Sequence, residues 1–300
     1  MRFIVTGATG FIGRWLIKGI KESGHECTAI VRSGQKEKCK ADLLFAGVDI
    51  IELEMADYYK IGRILPDMDF LVNLAWDGSR GIDRMDADLQ RKNYIFTMSA
   101  IQSMKNTDCK CIITAGSQAE YGNVRGKITE RTNPVPNTEY GKYKLKLFED
   151  ASDFCESSHI KLIEPRYFSI YGPGDDERTM IVTILKKMLR NQDCDLTKSI
   201  QMWDFLYIED AVEALIMLLS SNSNGGIYNF ASGDCRHLTD FVEEMYSISR
   251  SSSKLNYGAI TYPNTGMVSM EPDISKLVEA TGWTAKTKFI DGITAVMKSL

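Results

Sequence analysis

Three hundred residues with 44% hydrophobic and 25% charged content, 23 Gly and 7 Pro have an ordinary globular composition. That excludes a disordered, collagen-like or low-complexity chain and leaves length for one large α/β core or two smaller ones. Thirty-six Lys and Arg against 40 Asp and Glu leave a formal charge of −4, and without a basic block a general electrostatic grip on nucleic acid is excluded. Any anionic ligand must be met by a local site. Seven scattered cysteines without a Cys-x-x-Cys pair, and only three histidines, give no metal-ligand spacing and read as reduced thiols. No stretch approaches the ~20 apolar residues of a membrane span, so the expectation is a cytoplasmic protein that engages no membrane and no metal.

Through the first half, short apolar runs alternate with helix-length amphipathic segments, the order of a doubly wound parallel sheet with helices on both faces. Strands are expected at residues 2–6, 26–31, 48–53, 69–75, 110–115 and 161–166, and helices near 11–23, 35–46, 84–105 and 140–158. The runs Phe70-Leu71-Val72 and Cys111-Ile112-Ile113 lack polar alternation, as strands buried on both faces do. Beyond residue 166 the pattern loosens into helices near 176–190, 210–220, 238–250 and 273–281 with short strands between. The expected division is a dinucleotide-binding domain over 1–166 and a smaller substrate domain over 167–300, partly interleaved with the first.

Thr6-Gly7-Ala8-Thr9-Gly10-Phe11-Ile12-Gly13 joins the first strand to the first helix. Gly7 permits a tight turn, Gly10 lets the backbone approach a pyrophosphate, and Gly13 lets helix and strand pack closely. The helix N-terminus then offers free N–H groups and the positive dipole end.

With that loop, Asn73-Leu74-Ala75-Trp76, Ser117 four residues before Tyr121-Gly122, and Tyr140-Gly141-Lys142-Tyr143-Lys144, the chain resembles the extended short-chain dehydrogenase/reductase family. Arg166-Tyr167-Phe168-Ser169-Ile170-Tyr171-Gly172-Pro173-Gly174 and Asp204-Phe205-Leu206-Tyr207 look like its sugar-nucleotide branch of epimerases, dehydratases and reductases. The resemblance implies a Rossmann fold and a catalytic Ser117, Tyr140 and Lys144. Lys144 lies one turn beyond Tyr140 on the same helical face, where its ammonium favours tyrosinate, while Ser117 polarises a carbonyl.

The resemblance further implies a dinucleotide held by Gly7, Thr9, Gly10, Phe11, Ile12 and Gly13, by Arg32 and Ser33 after the second strand, and by Glu54 and Met55 after the third. Leu74 and Ala75 after the fourth strand, Tyr140, Lys144 and Tyr167 complete that set, and a nucleotide-sugar substrate is assigned to Trp76, Gln118, Ser169, Arg178 and Trp203. The second strand ends in Arg32 and Ser33 rather than in the acid that binds the ribose of NAD, so NADP is the favoured cofactor and NAD the alternative. Family dehydratases carry Thr-Asp-Glu where this chain has Ser117-Gln118-Ala119, and Glu120 stands one place late. The expected reaction is NADPH-dependent reduction of a nucleotide-linked 4-keto-6-deoxyhexose. An NAD-dependent 4-epimerase and a non-catalytic dinucleotide-sensing protein are the alternatives. Resemblance also implies a homodimer through the helices near 84–105 and 140–158, with a stripe of Met98, Ile101, Met104, Leu145, Phe148 and Ala151.

Overall fold

A computed structural model of the chain describes residues 1–262 and 267–300. They form two compact units: Met1–Gly122, Asn133–Tyr167 and Leu215–Tyr228 make the first, and Asn123–Thr132, Phe168–Ala214 and Asn229–Leu300 the second. The interleaving is thus an exchange of two segments, with Asn123–Thr132 in the second unit and Leu215–Tyr228 in the first. No helix among the described residues is long and apolar enough to cross a membrane.

The first unit is built on strands β1 (Arg2–Thr6), β2 (Glu26–Val31), β3 (Asp49–Glu52), β4 (Phe70–Asn73), β5 (Cys111–Thr114), β6 (Gly116–Ser117), β7 (Lys161–Tyr167) and β8 (Gly226–Phe230). Their order is β8-β7-β5-β4-β1-β2-β3, with β6 also pairing β7. Pairing of β1 with both β2 and β4 is parallel. The winding therefore reverses between β1 and β4, and the carboxyl ends of these two strands open a crevice there.

Helices α1 (Phe11–Glu22), α2 (Lys36–Ala41), α3 (Ile61–Ile64), α4 (Ala87–Ser103) and α5 (Glu139–Ser157) cover the sheet. Ile4, Leu71 and Ile112 of the strands share one buried cluster with Ala100 and Ile101 of α4 and Leu147 and Ala151 of α5. Two expected helices are shorter than their patterns. Asp42 ends α2 by accepting the Leu44 N–H at 3.0 Å and pairing with Arg14 at 2.7 Å. Asp86 starts α4 by accepting the Leu89 N–H at 3.0 Å, so residues 81–85 form a separate 3₁₀ turn.

The apolar stripe expected to join two copies is largely used inside the unit. Met98, Ile101, Met104 and Ala151 are all buried in the core, because α4 and α5 turn that face toward the sheet. Leu145 and Phe148 remain half-buried.

The second unit carries α6 (Met180–Leu189), the start of α7 (Ile208–Ser220), which continues from Leu215 in the first unit, α8 (Leu238–Ser249), α9 (Ser275–Thr281) and α10 (Phe289–Ser299) with several two-stranded sheets. Helix α10 was not among the expected elements, although Phe289, Gly292, Ile293 and Val296 form its buried face. Phe289 and Phe241 pack edge to face at 4.7 Å, and Phe205 lies 5.0 Å from Phe241. Asp204 has no exposed surface and accepts from the Ser232 N–H at 2.7 Å, the Ser232 hydroxyl at 2.9 Å and the Gly233 N–H at 2.9 Å. Asp204→Ala leaves these donors buried without an acceptor and is expected to lower unfolding stability by roughly 3 kcal/mol. An unchanged denaturant midpoint would contradict that role.

Candidate active site

The loop after β1 is shaped by main-chain contact. Gly7 has φ +67°, and a Cβ there would lie 2.7 Å from Ala75 N and 2.8 Å from the Leu74 carbonyl carbon. A Cβ on Gly13 would lie 2.2 Å from Gly7 O, so α1 starts directly against the strand it follows. Thr6 ties β1 to the end of β4, donating to Asn73 Oδ1 at 2.8 Å and accepting the Ala75 N–H at 3.3 Å. Gly10 stands at the N-cap of α1 with no side-chain cap and no acidic residue in the first turn. Thr9 and Gly10 are exposed, while Phe11 and Ile12 open the helix. An uncapped helix N-terminus beside a cradle that admits only glycine, at the reversal of strand order, fits the pyrophosphate of a dinucleotide.

At the other side of this crevice, Arg32 forms an ion pair with Asp77. Glu54 accepts the Ser33 N–H at 2.9 Å, and that bond holds its carboxyl below the usual carboxylate range. A carboxyl from just beyond β3 thus lies against the end of β2. Met55 is 8% exposed and belongs to the core cluster, so only its main chain is offered to a ligand. Leu74 is half-buried and Ala75 buried.

Ser117, Tyr140 and Lys144 come together. Thr138 caps α5 by accepting the Gly141 N–H at 3.1 Å, and a Cβ on Gly141 would lie 2.4 Å from Ala119 O. The helix therefore packs tightly on the turn Gln118–Glu120, which brings Tyr140 near enough to Ser117 for that side chain to favour the ionised hydroxyl. Ser117 Oγ accepts the Ala119 N–H at 3.2 Å, leaving the Ser117 proton to be donated elsewhere. Burial pushes the Tyr140 hydroxyl up, against the opposing pull of Ser117, Arg84 and Arg80. Tyr140 thus keeps its proton at neutral pH.

Lys144 is 3% exposed and donates to Ala115 O at 2.7 Å. Its ammonium sits 3.8 Å from the Trp76 ring centroid and 5.8 Å from that of Tyr140. Burial pulls it down to about 8, with Glu120 and Glu164 acting in the opposite direction. Trp76, expected on substrate, is fixed as a wall of this site, donating from Nε1 to Gln90 Oε1 at 2.7 Å. Gln118 is half-buried in the turn beside Ser117. Tyr167, buried at the end of β7, pairs in register with Ser117.

The remaining substrate candidates lie in the second unit. Ser169 pairs with Phe205, Trp203 pairs with Arg236, and the Trp203 ring is 6.3 Å from Phe205. Arg178 is clamped by Asp176 at 2.9 and 2.8 Å. The sequence reading missed Arg80, Arg84, Asp77, Glu164 and the role of Arg166. Glu164 and Arg166 carried a usable signal: two charges two residues apart in a strand otherwise buried must both point to one face and be paired there.

The NAD dependent epimerase/dehydratase family matches over residues 3–231. Among curated proteins, the chain is 26% identical over 304 residues to a CDP-abequose synthase of Salmonella muenchen, covering 99% of this chain and 97% of that one. It is 28% identical over 251 residues to a dTDP-6-deoxy-L-talose 4-dehydrogenase (NAD(+)) of Aggregatibacter actinomycetemcomitans, covering 81% and 89%. Among solved structures, a UDP-glucose 4-epimerase of Thermotoga maritima superimposes with TM-score 0.88 at 20% identity over 100% of this chain and 98% of that one. A UDP-glucuronic acid 4-epimerase of Bacillus cereus in complex with NAD does so with TM-score 0.84 at 22% identity, covering 100% and 96%. These structures share the fold.

Gly13→Ala forces α1 away from Gly7 and is expected to weaken dinucleotide binding by about tenfold or more, since overpacking of this kind costs about 1–3 kcal/mol. Fluorescence titration with NADH and NADPH checks it, and wild-type affinity for both would refute the cradle.

Proposed function

The chain belongs to the NAD dependent epimerase/dehydratase family, and from that premise we propose that it reduces the 4-keto group of a nucleotide-linked 4-keto-6-deoxyhexose with NADPH. The observation that carries this reading is the assembled Ser117, Tyr140 and Lys144, with Tyr140 holding its proton beside a buried ammonium. When bound, the reduced nicotinamide supplies the hydride. The proton is the business of the chain itself. Tyr140 delivers it to the nascent alkoxide, Lys144 stabilises the phenolate left behind, and Ser117 donates a hydrogen bond to the same oxygen while keeping its own proton.

Dehydration lacks its acid and base. Gln118 and Ala119 bear no carboxyl, and Glu120 is turned away, accepting the Ser117 N–H at 2.7 Å and lying 2.9 Å from Arg166. The relative named for 4-dehydrogenation of a dTDP-linked 6-deoxysugar supports redox chemistry at that carbon. For the cofactor, the Arg32–Asp77 pair is 62% and 46% exposed, and an exposed pair is worth only ~1 kcal/mol or less. A 2′-phosphate can therefore displace Asp77 from Arg32. One observation favours a second reading, an NAD-dependent 4-epimerase: Glu54 accepts the Ser33 N–H, which sets a carboxylate just after β2, where an acid would meet the adenosine ribose of NAD. We further propose a homodimer through the outer faces of α4 and α5, where Ile95 is 44% exposed and Leu145 and Phe148 are half-buried.

Tyr140→Phe keeps the ring and removes the proton, so turnover should fall by ~10² or more with dinucleotide affinity retained; unchanged turnover would sink the assignment. Lys144 loses its proton as pH rises through about 8, so the rate should decline on that alkaline limb. Arg32→Ala should weaken NADPH by roughly ten- to a hundredfold and NADH little, since a charge-assisted contact is worth about 1.5–3 kcal/mol. Equal losses would exclude Arg32 as selector. Substrate is tested with CDP-, dTDP-, GDP- and UDP-linked 4-keto-6-deoxyhexoses, following NADPH oxidation. If none is reduced while a nucleotide hexose is epimerised without net NADPH loss, the second reading replaces the first.

A further inference from the structure

Behind Ser117 lies a buried trio of charges that the proton transfer above does not use. Glu120, Glu164 and Arg166 are 0%, 1% and 1% exposed. Arg166 Nε donates to Glu164 Oε1 at 2.9 Å. Its NH2 group lies 2.9 Å from Glu120 Oε2, an ion pair whose angle falls short of a hydrogen bond. The other oxygen of Glu120 accepts the Ser117 N–H at 2.7 Å. Gly116, paired in register with Arg166, makes the room: a Cβ there would lie 2.6 Å from Glu164 Cγ and 3.0 Å from Arg166 Cγ.

Two carboxyls against one guanidinium carry an excess negative charge if both ionise, and burial opposes that charge. Burial pushes Glu164 well up and Glu120 up, and both carboxyls face the single guanidinium of Arg166. Such a pair titrates as a unit, with one proton between two carboxyls. Both carboxyls act on Lys144. Glu120 acts on Lys144 from the turn after Ser117 and Glu164 from β7, and the rings of Trp76 and Tyr140 lie 3.8 and 5.8 Å from its ammonium. Arg80 and Arg84 act on Tyr140 from the segment before α4.

We propose that Glu120 and Glu164 are positioning residues of the catalytic site: Glu120 fixes Ser117 through its main-chain N–H, and the one carboxylate charge that either side chain can carry holds the proton on Lys144. The proposal rests on the reading of Ser117, Tyr140 and Lys144 as the catalytic set. Sharing has a consequence that a simple ion pair lacks. When one carboxyl is removed, the other ionises against Arg166 and the field at Lys144 survives. Only loss of both removes it.

The test is a direct NMR titration of Lys144 in full-length protein labelled at lysine Cε with ¹³C, the resonance assigned with Lys144→Arg. The wild-type midpoint is expected near about 8. Glu120→Gln and Glu164→Gln should each move it by no more than roughly half a pH unit, and the double variant should lower it by about one unit or more. The double variant leaves a buried guanidinium unpaired and is at risk of unfolding. Adding Arg166→Met exchanges the last charge of the trio for apolar packing, and a smaller fall is expected there, because the guanidinium that opposes the Lys144 charge is removed as well. Infrared difference spectra of the unmutated protein at neutral pH should also show a protonated carboxylic acid that Glu164→Gln and Glu120→Gln perturb. Single variants that shift Lys144 as far as the double, folded double or triple variants that leave it unmoved, or absence of the protonated acid would each overturn the proposal. A Tyr140→Phe protein that still turns over would instead defeat the catalytic reading and leave this titration standing.

Discussion

Main chain pressed against main chain at the end of β1 is the constraint on which the rest of the first unit depends. Gly7 touches the backbone of Leu74 and Ala75, and Gly13 touches Gly7 itself. Those contacts set how closely α1 approaches the sheet and how far the ends of β1 and β4 stand apart. Because the strand order reverses between the same two strands, this close backbone packing and the crevice at the strand ends share one place. Nothing larger than hydrogen is admitted there, and the helix end it exposes carries no protein anion.

The groups proposed for catalysis are held by similarly rigid parts. Ser117 closes a short strand paired with β7, Tyr140 and Lys144 lie one turn apart on a capped helix, and Gly141 lets that helix meet the turn after Ser117. Lys144 is anchored on Ala115 O, Ser117 Oγ on the Ala119 N–H, and the neighbouring Trp76 on Gln90. Little rotamer freedom remains to be lost when a substrate arrives.

Charge is used in two ways according to burial. Arg32 with Asp77 and Arg178 with Asp176 are exposed pairs that a ligand can break cheaply. Glu120, Glu164 and Arg166 are wholly buried and cannot be parted without leaving a charge unpaired. Exposed pairs therefore suit ligand exchange, whereas the buried trio suits a fixed field beneath the reacting groups.

By itself the sequence determined the alternation of strands and helices, the glycine loop, and the stations of Ser117, Tyr140 and Lys144. These are local or periodic features that a linear chain displays directly. The pattern that marks α10 was equally present in Phe289, Gly292, Ile293 and Val296, and went unread. Tertiary structure alone decided which face of α4 and α5 is buried, since Met98, Ile101 and Met104 suit a core and an interface equally well by spacing. It also decided that Asp77 meets Arg32 from 45 residues away, that Glu54 accepts the Ser33 N–H, and that Arg166 pairs with both Glu120 and Glu164. A charge pair between distant segments leaves no trace in spacing; it exists only once the sheet has brought the two strand ends side by side.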